Sequence, residues 1–447
     1  MFAFRRPVAP FALTLCLFVS LVATAAPPPS PLRKGRDVQA LDGVWKFQTD
    51  PEKRGEAEGW KRAAPPSARE SVVPGLWNTG AAPGYSGVAW YWRDFETPAG
   101  WKGQTVRLRF EAAAEKAQVW LNGESLGAHT GGATPFEFNV TQAIRIGGKN
   151  TLAVRLEGDA KAGAGLWQGV LLLAHDEAYI ADCFAQGNGL GNLNAAITFL
   201  NTSRNSGDAT LDGRIVAATE SRRDLLKTHQ TLHLTPGRNL TTLLLTLRGR
   251  NLHLWSPETP LLYRLQLIFR QGEDILDTQE TVFGFREFGF KEGAITLNGE
   301  PLTLTAVAPR PPQPVVIATT TDMERARESL RRLKDKGVNV LHLDAPPSAL
   351  LAMADEVGLL VVEGPRPDQT AKAAADELRA LLLRDRSHPC LLAWNLGDAD
   401  SATAQLARQL DPTRFLLVGP ANARKLWLPG QNEASAVPPP SGLLPLP

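Results

Sequence analysis

In the run Ala117-Gln118-Val119-Trp120-Leu121-Asn122-Gly123, the apolar residues Ala117, Val119 and Leu121 fall on every second position, and Asn-Gly closes the run. Period 2 is the signature of a strand with one buried face. Asn-Gly is the strongest short hairpin signal, because both residues tolerate the positive φ that a tight turn needs. The pattern recurs on either side, in Val106-Arg107-Leu108-Arg109-Phe110 and in Thr151-Leu152-Ala153-Val154-Arg155-Leu156. Many short strands with frequent turns predict a jelly-roll-like β-sandwich over residues 26–178. Strand signals continue through Ala195-Ala196-Ile197-Thr198-Phe199-Leu200, Thr242-Leu243-Leu244-Leu245-Thr246-Leu247 and Leu262-Tyr263-Arg264-Leu265-Gln266-Leu267-Ile268-Phe269. They predict a second, immunoglobulin-like sandwich over residues 179–290.

Near Gly293 the character changes, and short apolar strands begin to alternate with helical stretches. Strands are expected at Leu302 to Val307, Val338 to Leu343, Leu359 to Val362, Cys390 to Leu396 and Arg414 to Val418. Helices are expected from about Met323 to Lys336, Ser348 to Val357, Gln369 to Arg384 and Ala402 to Gln409. Thr321 or Asp322 is placed to cap the first helix, and Gly337 to end it in the left-handed conformation. Alternation of this kind makes parallel βαβ units, so residues 291–430 read as a partial (β/α) TIM-type barrel. The whole is multidomain β plus α/β, followed by a Pro-rich tail over residues 431–447 that is expected to be disordered.

The first residues stand apart. Arg5 and Arg6 precede an apolar run from Phe11 to Val22, and Ala23-Thr24-Ala25 supplies the small residues of a cleavage site. Residues 1–25 therefore read as a signal peptide, and a secreted or periplasmic location is expected with no integral membrane segment after processing. The chain carries 48 basic and 46 acidic residues, and loss of Arg5 and Arg6 leaves the two equal. A neutral balance gives no electrostatic footprint for nucleic acid or for an anionic membrane. Of the three cysteines, Cys16 leaves with the signal peptide, and Cys183 and Cys390 fall in different units, so two buried thiols are expected rather than a disulfide. The histidines show no metal-ligand spacing, so no metal and no cofactor is implied. His129 reads as structural, Trp120, Phe136 and Trp167 as sandwich core, and the Gly163-Gly165-Gly169 and Gly187-Gly189-Gly191 series as turns, since neither glycine series has the strand-loop-helix context of a phosphate loop.

An ordered set of motifs resembles glycoside hydrolase family 2, the β-galactosidases, β-glucuronidases and β-mannosidases. In the first sandwich it comprises Leu41-Asp42-Gly43-Val44-Trp45, Trp90-Tyr91-Trp92-Arg93, Val119-Trp120-Leu121-Asn122-Gly123, Pro135-Phe136-Glu137-Phe138 and Gly165-Leu166-Trp167. The second sandwich closes with Trp255-Ser256-Pro257-Glu258-Thr259-Pro260 and Gly284-Phe285-Arg286-Glu287, and the barrel region adds Gly337-Val338-Asn339, Asp355-Glu356-Val357-Gly358 and Arg384-Asp385-Arg386-Ser387-His388-Pro389. The resemblance implies retaining hydrolysis of a β-glycoside, which takes two carboxyl groups about 5 to 5.5 Å apart, one acid/base and one nucleophile.

The acid/base motif of the family, Trp-x-Leu-Gly-Asn-Glu, falls on Trp394-Asn395-Leu396-Gly397-Asp398-Ala399. Asp398 stands at the asparagine and Ala399 at the proton-donating glutamate, and an alanine transfers no proton. Asp400 is a displaced alternative acid. The family's Arg-Gly after the first strand falls on Thr305-Ala306 and its His-Glu on Arg310-Pro311, while its Arg and His after Gly337-Val338-Asn339 fall on His342 and Ala345. Trp394, Asp398, His342 and Arg310 are thus the candidate substrate contacts. A full barrel takes roughly 200 residues or more, and the seventh-strand nucleophile is expected to be missing. Three functions follow as expectations: a non-catalytic carbohydrate-binding protein, an active glycosidase using other residues, and a scaffold whose open barrel edges pair in a homodimer or with a partner chain.

Overall fold

The computed structural model describes residues 35–219, 223–308, 315–367, 369–419, 424–430, 437–440 and 443. The signal-peptide reading of residues 1–25 and the candidate Arg310 lie outside them.

The first sandwich packs a four-stranded antiparallel sheet against a six-stranded one. Lys116–Leu121 and Glu124–Thr130 form the expected hairpin. Asn122 and Gly123 make its turn at φ 55° and 85°. Between the sheets lie Trp45, Phe47, Trp77, Tyr91, Phe110 and Val154. Two of the expected core aromatics lie elsewhere. Trp120 belongs to a separate cluster with Trp90 and Trp92, against which Trp60 packs. Trp167 is counted with the core of the β/α unit, its indole N–H donating to Gly132 O at 2.8 Å. The reasons are geometric: Trp120 falls on the strand face opposite Ala117, Val119 and Leu121, whereas the loop that carries Trp167 docks on the β/α unit and takes that ring with it.

The second sandwich pairs a three-stranded sheet (Ala178–Gly187, Asn192–Asn201, Gly237–Thr246) with a four-stranded one (Asp224–Leu234, Gly207–Ala217, Tyr263–Gln271, Asp274–Phe283). Phe199, Phe269, Phe283 and Phe285 fill it.

The β/α unit runs β1 Ala306–Val307, α1 Thr320–Asp335, β2 Val340–Asp344, α2 Ser348–Val357, β3 Leu360–Gly364, α3 Ala371–Asp385, β4 Leu391–Gly397, α4 Ser401–Leu410, β5 Phe415–Val418 and β6 Lys425–Trp427. The sheet order follows the chain, with β1 to β5 parallel and β6 antiparallel on β5. Among the described residues the sheet is open, and the expected first strand is reduced to two residues. The cap of α1 falls on Thr319 rather than Thr321 or Asp322, because Thr319 and Asp322 complete a reciprocal capping box. Gly337 takes φ 84° after the helix, as expected.

Part of the segment expected to be disordered is packed. Val437 exchanges both backbone hydrogen bonds with Leu426, at 2.7 and 2.9 Å, and Leu443 is fully buried in the core of the β/α unit. Apolar residues within a Pro-rich run thus find an apolar surface to cover, and composition alone does not reveal that surface.

Candidate functional site

Ligands of β/α sheets bind beyond the carboxyl ends of the strands, so the residues after β2, β3 and β4 form the place to look. β4 ends at Gly397, whose φ of 56° turns the chain into the link to α4. Asp398 in that link is exposed, and half-buried Ala399 packs its methyl on the apolar core. Asp400 is not available as an acid. It is the N-cap of α4, accepting from Thr403 N–H at 2.8 Å, and this hydrogen bonding holds its carboxyl below the ordinary carboxylate range. It is ionised at neutral pH and committed to the helix.

Side chains of directly paired residues in a parallel sheet share a face. Leu343, Glu363, Trp394 and Leu416 are such partners and face the helices, while His342, Val362 and Ala393 take the other face. Trp394 is accordingly no substrate contact: it is fully buried, and its indole N–H donates to Asp411 Oδ2 at 2.9 Å beneath α4. His342 does point to the inner face, where its Nε2 lies 2.5 Å from Leu443 O. Burial pushes its pKa down, so a neutral ring donates this bond and offers a ligand nothing at Nε2. Asp344, exposed at the end of β2, is a carboxylate at the same edge that motif matching passes over. Its position at a strand terminus is the signal that marks it.

The run Arg384-Asp385-Arg386-Ser387-His388-Pro389 fastens the three units together. The guanidinium of Arg384 donates to Ala133 O of the first sandwich at 3.3 Å, to Pro346 O at 2.6 Å and to the carboxylate of Asp385. Arg386 pairs with Asp182 of the second sandwich and donates to Leu410 O at 2.9 Å. His388 Nδ1 lies 2.5 Å from Asp355 Oδ2, and that carboxylate, more than any other group, raises the imidazole above its usual range against the opposing effect of burial. Its other oxygen accepts from Cys390 N–H at 2.8 Å.

Glu363 is the unusual group. It has no exposure and neither oxygen receives a donor; Arg384, 3.7 Å away, is occupied by Asp385 and two carbonyls. Burial first, and the neighbouring Asp385 second, push it well above the ordinary glutamate range. A protonated Glu363 has Asp385 as its acceptor. His129, read as structural, stacks on Phe136 at 4.0 Å, and burial lowers its pKa. Among the described residues no group of three or more His, Cys, Asp and Glu could hold a metal ion, and no helix is long and apolar enough to cross a membrane.

Two family models match the chain: "Glycosyl hydrolases family 2, sugar binding domain" over residues 38–180 and "Glycosyl hydrolases family 2" over residues 178–286. A β-galactosidase of Thermoanaerobacter pseudethanolicus is 27% identical over 361 residues, covering 74% of this chain and 48% of that one. The β-galactosidase BoGH2A of Bacteroides ovatus is 24% identical over 345 residues, covering 71% of this chain and 40% of that one. The chain thus spans less than half the length of these curated relatives. In structure it resembles a family 2 member from Bacteroides cellulosilyticus, with TM-score 0.74 and 22% identity over 86% of this chain and 57% of that one. It also resembles the Bacteroides uniformis β-glucuronidase, with TM-score 0.73 and 23% identity over 85% and 52%.

Proposed function

Because the chain belongs to glycosyl hydrolase family 2, we propose that it is an exported member that binds carbohydrate without cleaving it. The observation that carries this reading is Ala399, which follows the end of β4 at the position where the family motif has its proton donor. Departure of a glycosidic oxygen needs that proton. Neither neighbour supplies it: Asp400 is bound into the cap of α4, and Asp398 sits one residue early with a side chain one methylene shorter. Retained sandwiches beside a lost catalytic residue fit recognition outlasting chemistry on one fold. Export through residues 1–25 belongs to the same reading, as does association through the short β1 edge of the open sheet.

The test is a glycan array probed with the mature protein, followed by chromatography of each bound glycan after prolonged incubation. Binding with every glycan recovered intact is the expected result. Shortened glycans whose formation stops in Asp344→Asn with Asp398→Asn would instead assign catalysis to the two exposed carboxylates at the ends of β2 and β4.

A further inference from the structure

A cavity of about 820 Å³ opens away from the strand ends, where both sandwiches meet α2 and α3. The geometry points to this cleft as a binding site for a neutral, polyhydroxylated ligand, an oligosaccharide or a free polyol. Its volume lies within the roughly 300–1,000 Å³ of small-molecule sites, which favour domain junctions.

The lining selects the class of ligand. Guanidiniums arrive from all three units, Arg36 and Arg109 from the first sandwich, Arg238 from the second and Arg384 from α3, and the same lining holds the carboxylates of Asp182, Glu280 and Glu356. An anion entering here meets the carboxylates, and a cation meets the guanidiniums. A hydroxyl group both donates and accepts, so it can satisfy either wall. The ion pairs already present, Arg36 with Asp277, Asp182 with Arg386 and Glu356 with Arg327, fix these side chains in place while leaving donor sites and lone pairs over. Arg238 is exposed, donates to Thr198 Oγ1 at 3.5 Å and lies near enough to Asp182 to act on its charge. Val282 and Leu383, 38% and 37% exposed, stand on opposing units and offer apolar surface to the C–H face of a sugar. This site is separate from the degraded strand-end site, so it goes beyond the proposed function.

Saturation-transfer NMR on the mature protein tests it, with cellotetraose and galactotetraose as neutral oligosaccharides, sorbitol as a free polyol and a tetra-uronate as the anion. Arg238→Met removes a donor from one wall and Leu383→Trp fills the cleft from the other. Both positions are exposed, so the thermal midpoint should not move. The expected result is binding of a neutral probe, weakened about tenfold or more by each cleft variant. Which neutral probe gives the signal identifies the source of the hydroxyls. Binding of the uronate alone overturns the proposal. Binding that ignores both cleft variants and falls with Asp398→Ala also overturns it, while leaving the carbohydrate-binding reading intact. Absence of binding by every probe overturns both.

Discussion

Glu363 places a carboxyl group where water does not reach and no donor approaches, between an aspartate and a fully committed guanidinium. A carboxyl raised in the folded state contributes stability that is present below its unfolded pKa and lost as pH rises through its folded value. Each unit of elevation corresponds to about 1.4 kcal/mol. Glu363→Gln should therefore raise the thermal midpoint at neutral and alkaline pH and have least effect below the ordinary glutamate range. A variant less stable than the parent at pH 8 contradicts this account of the site. His175 acts with the opposite sign. Burial pushes it down to about 4, so its contribution is complete above about pH 6.5 and is lost as pH falls toward 4, and titration melts of a His175→Gln variant should flatten over that range. Neither group was legible in the sequence, because burial of a titratable side chain depends on which helix or sandwich covers it. Ala399 was legible, since a residue type that lacks a proton is evident without coordinates.

At the scale of elements, periodicity and turn chemistry carried most of the way. The Asn122-Gly123 hairpin, the alternation of β2 to β5 with their helices, and the left-handed Gly337 all follow from local sequence. What failed was the choice between equivalent local signals. Thr319, Thr321 and Asp322 all suit a helix start, and only the reciprocal hydrogen bonds between Thr319 and Asp322 decide among them. Thr319→Ala should cost about 0.5–2 kcal/mol, read from denaturant melts, whereas Thr321→Ala should be near neutral; the reverse order would restore the later start. The face taken by Trp394 failed for a related reason. A buried parallel strand reads as an unbroken apolar run, so its sequence does not say which residues face the helices.

For the whole molecule, the three units share one set of contacts. Arg286, at the end of the second sandwich, is buried with its guanidinium on Pro389 O at 2.8 Å and Leu391 O at 3.2 Å and stacked 4.1 Å from the Phe288 ring. Arg286→Met takes the guanidinium away from Pro389 O, while Leu391 O keeps Arg414 Nε at 3.2 Å; the loss of about 1–3 kcal/mol for the one buried group should split a single calorimetric transition into two, and a single unshifted transition would show that the units do not depend on it. The open sheet is partly covered by its own chain, with β6 along the β5 edge and Val437 along β6. Deleting residues 424–447 should accordingly raise the molar mass seen by light scattering, and an unchanged mass would mean that the segment covers nothing that matters. Non-catalytic membership of the family is the claim on which the rest depends. Release of 4-nitrophenol from aryl β-galactoside, β-glucuronide and β-mannoside by the purified mature protein, followed across the pH range, tests it most directly. No release above the buffer rate at any pH is the predicted result, and release that Asp344→Asn or Asp398→Asn abolishes would contradict it.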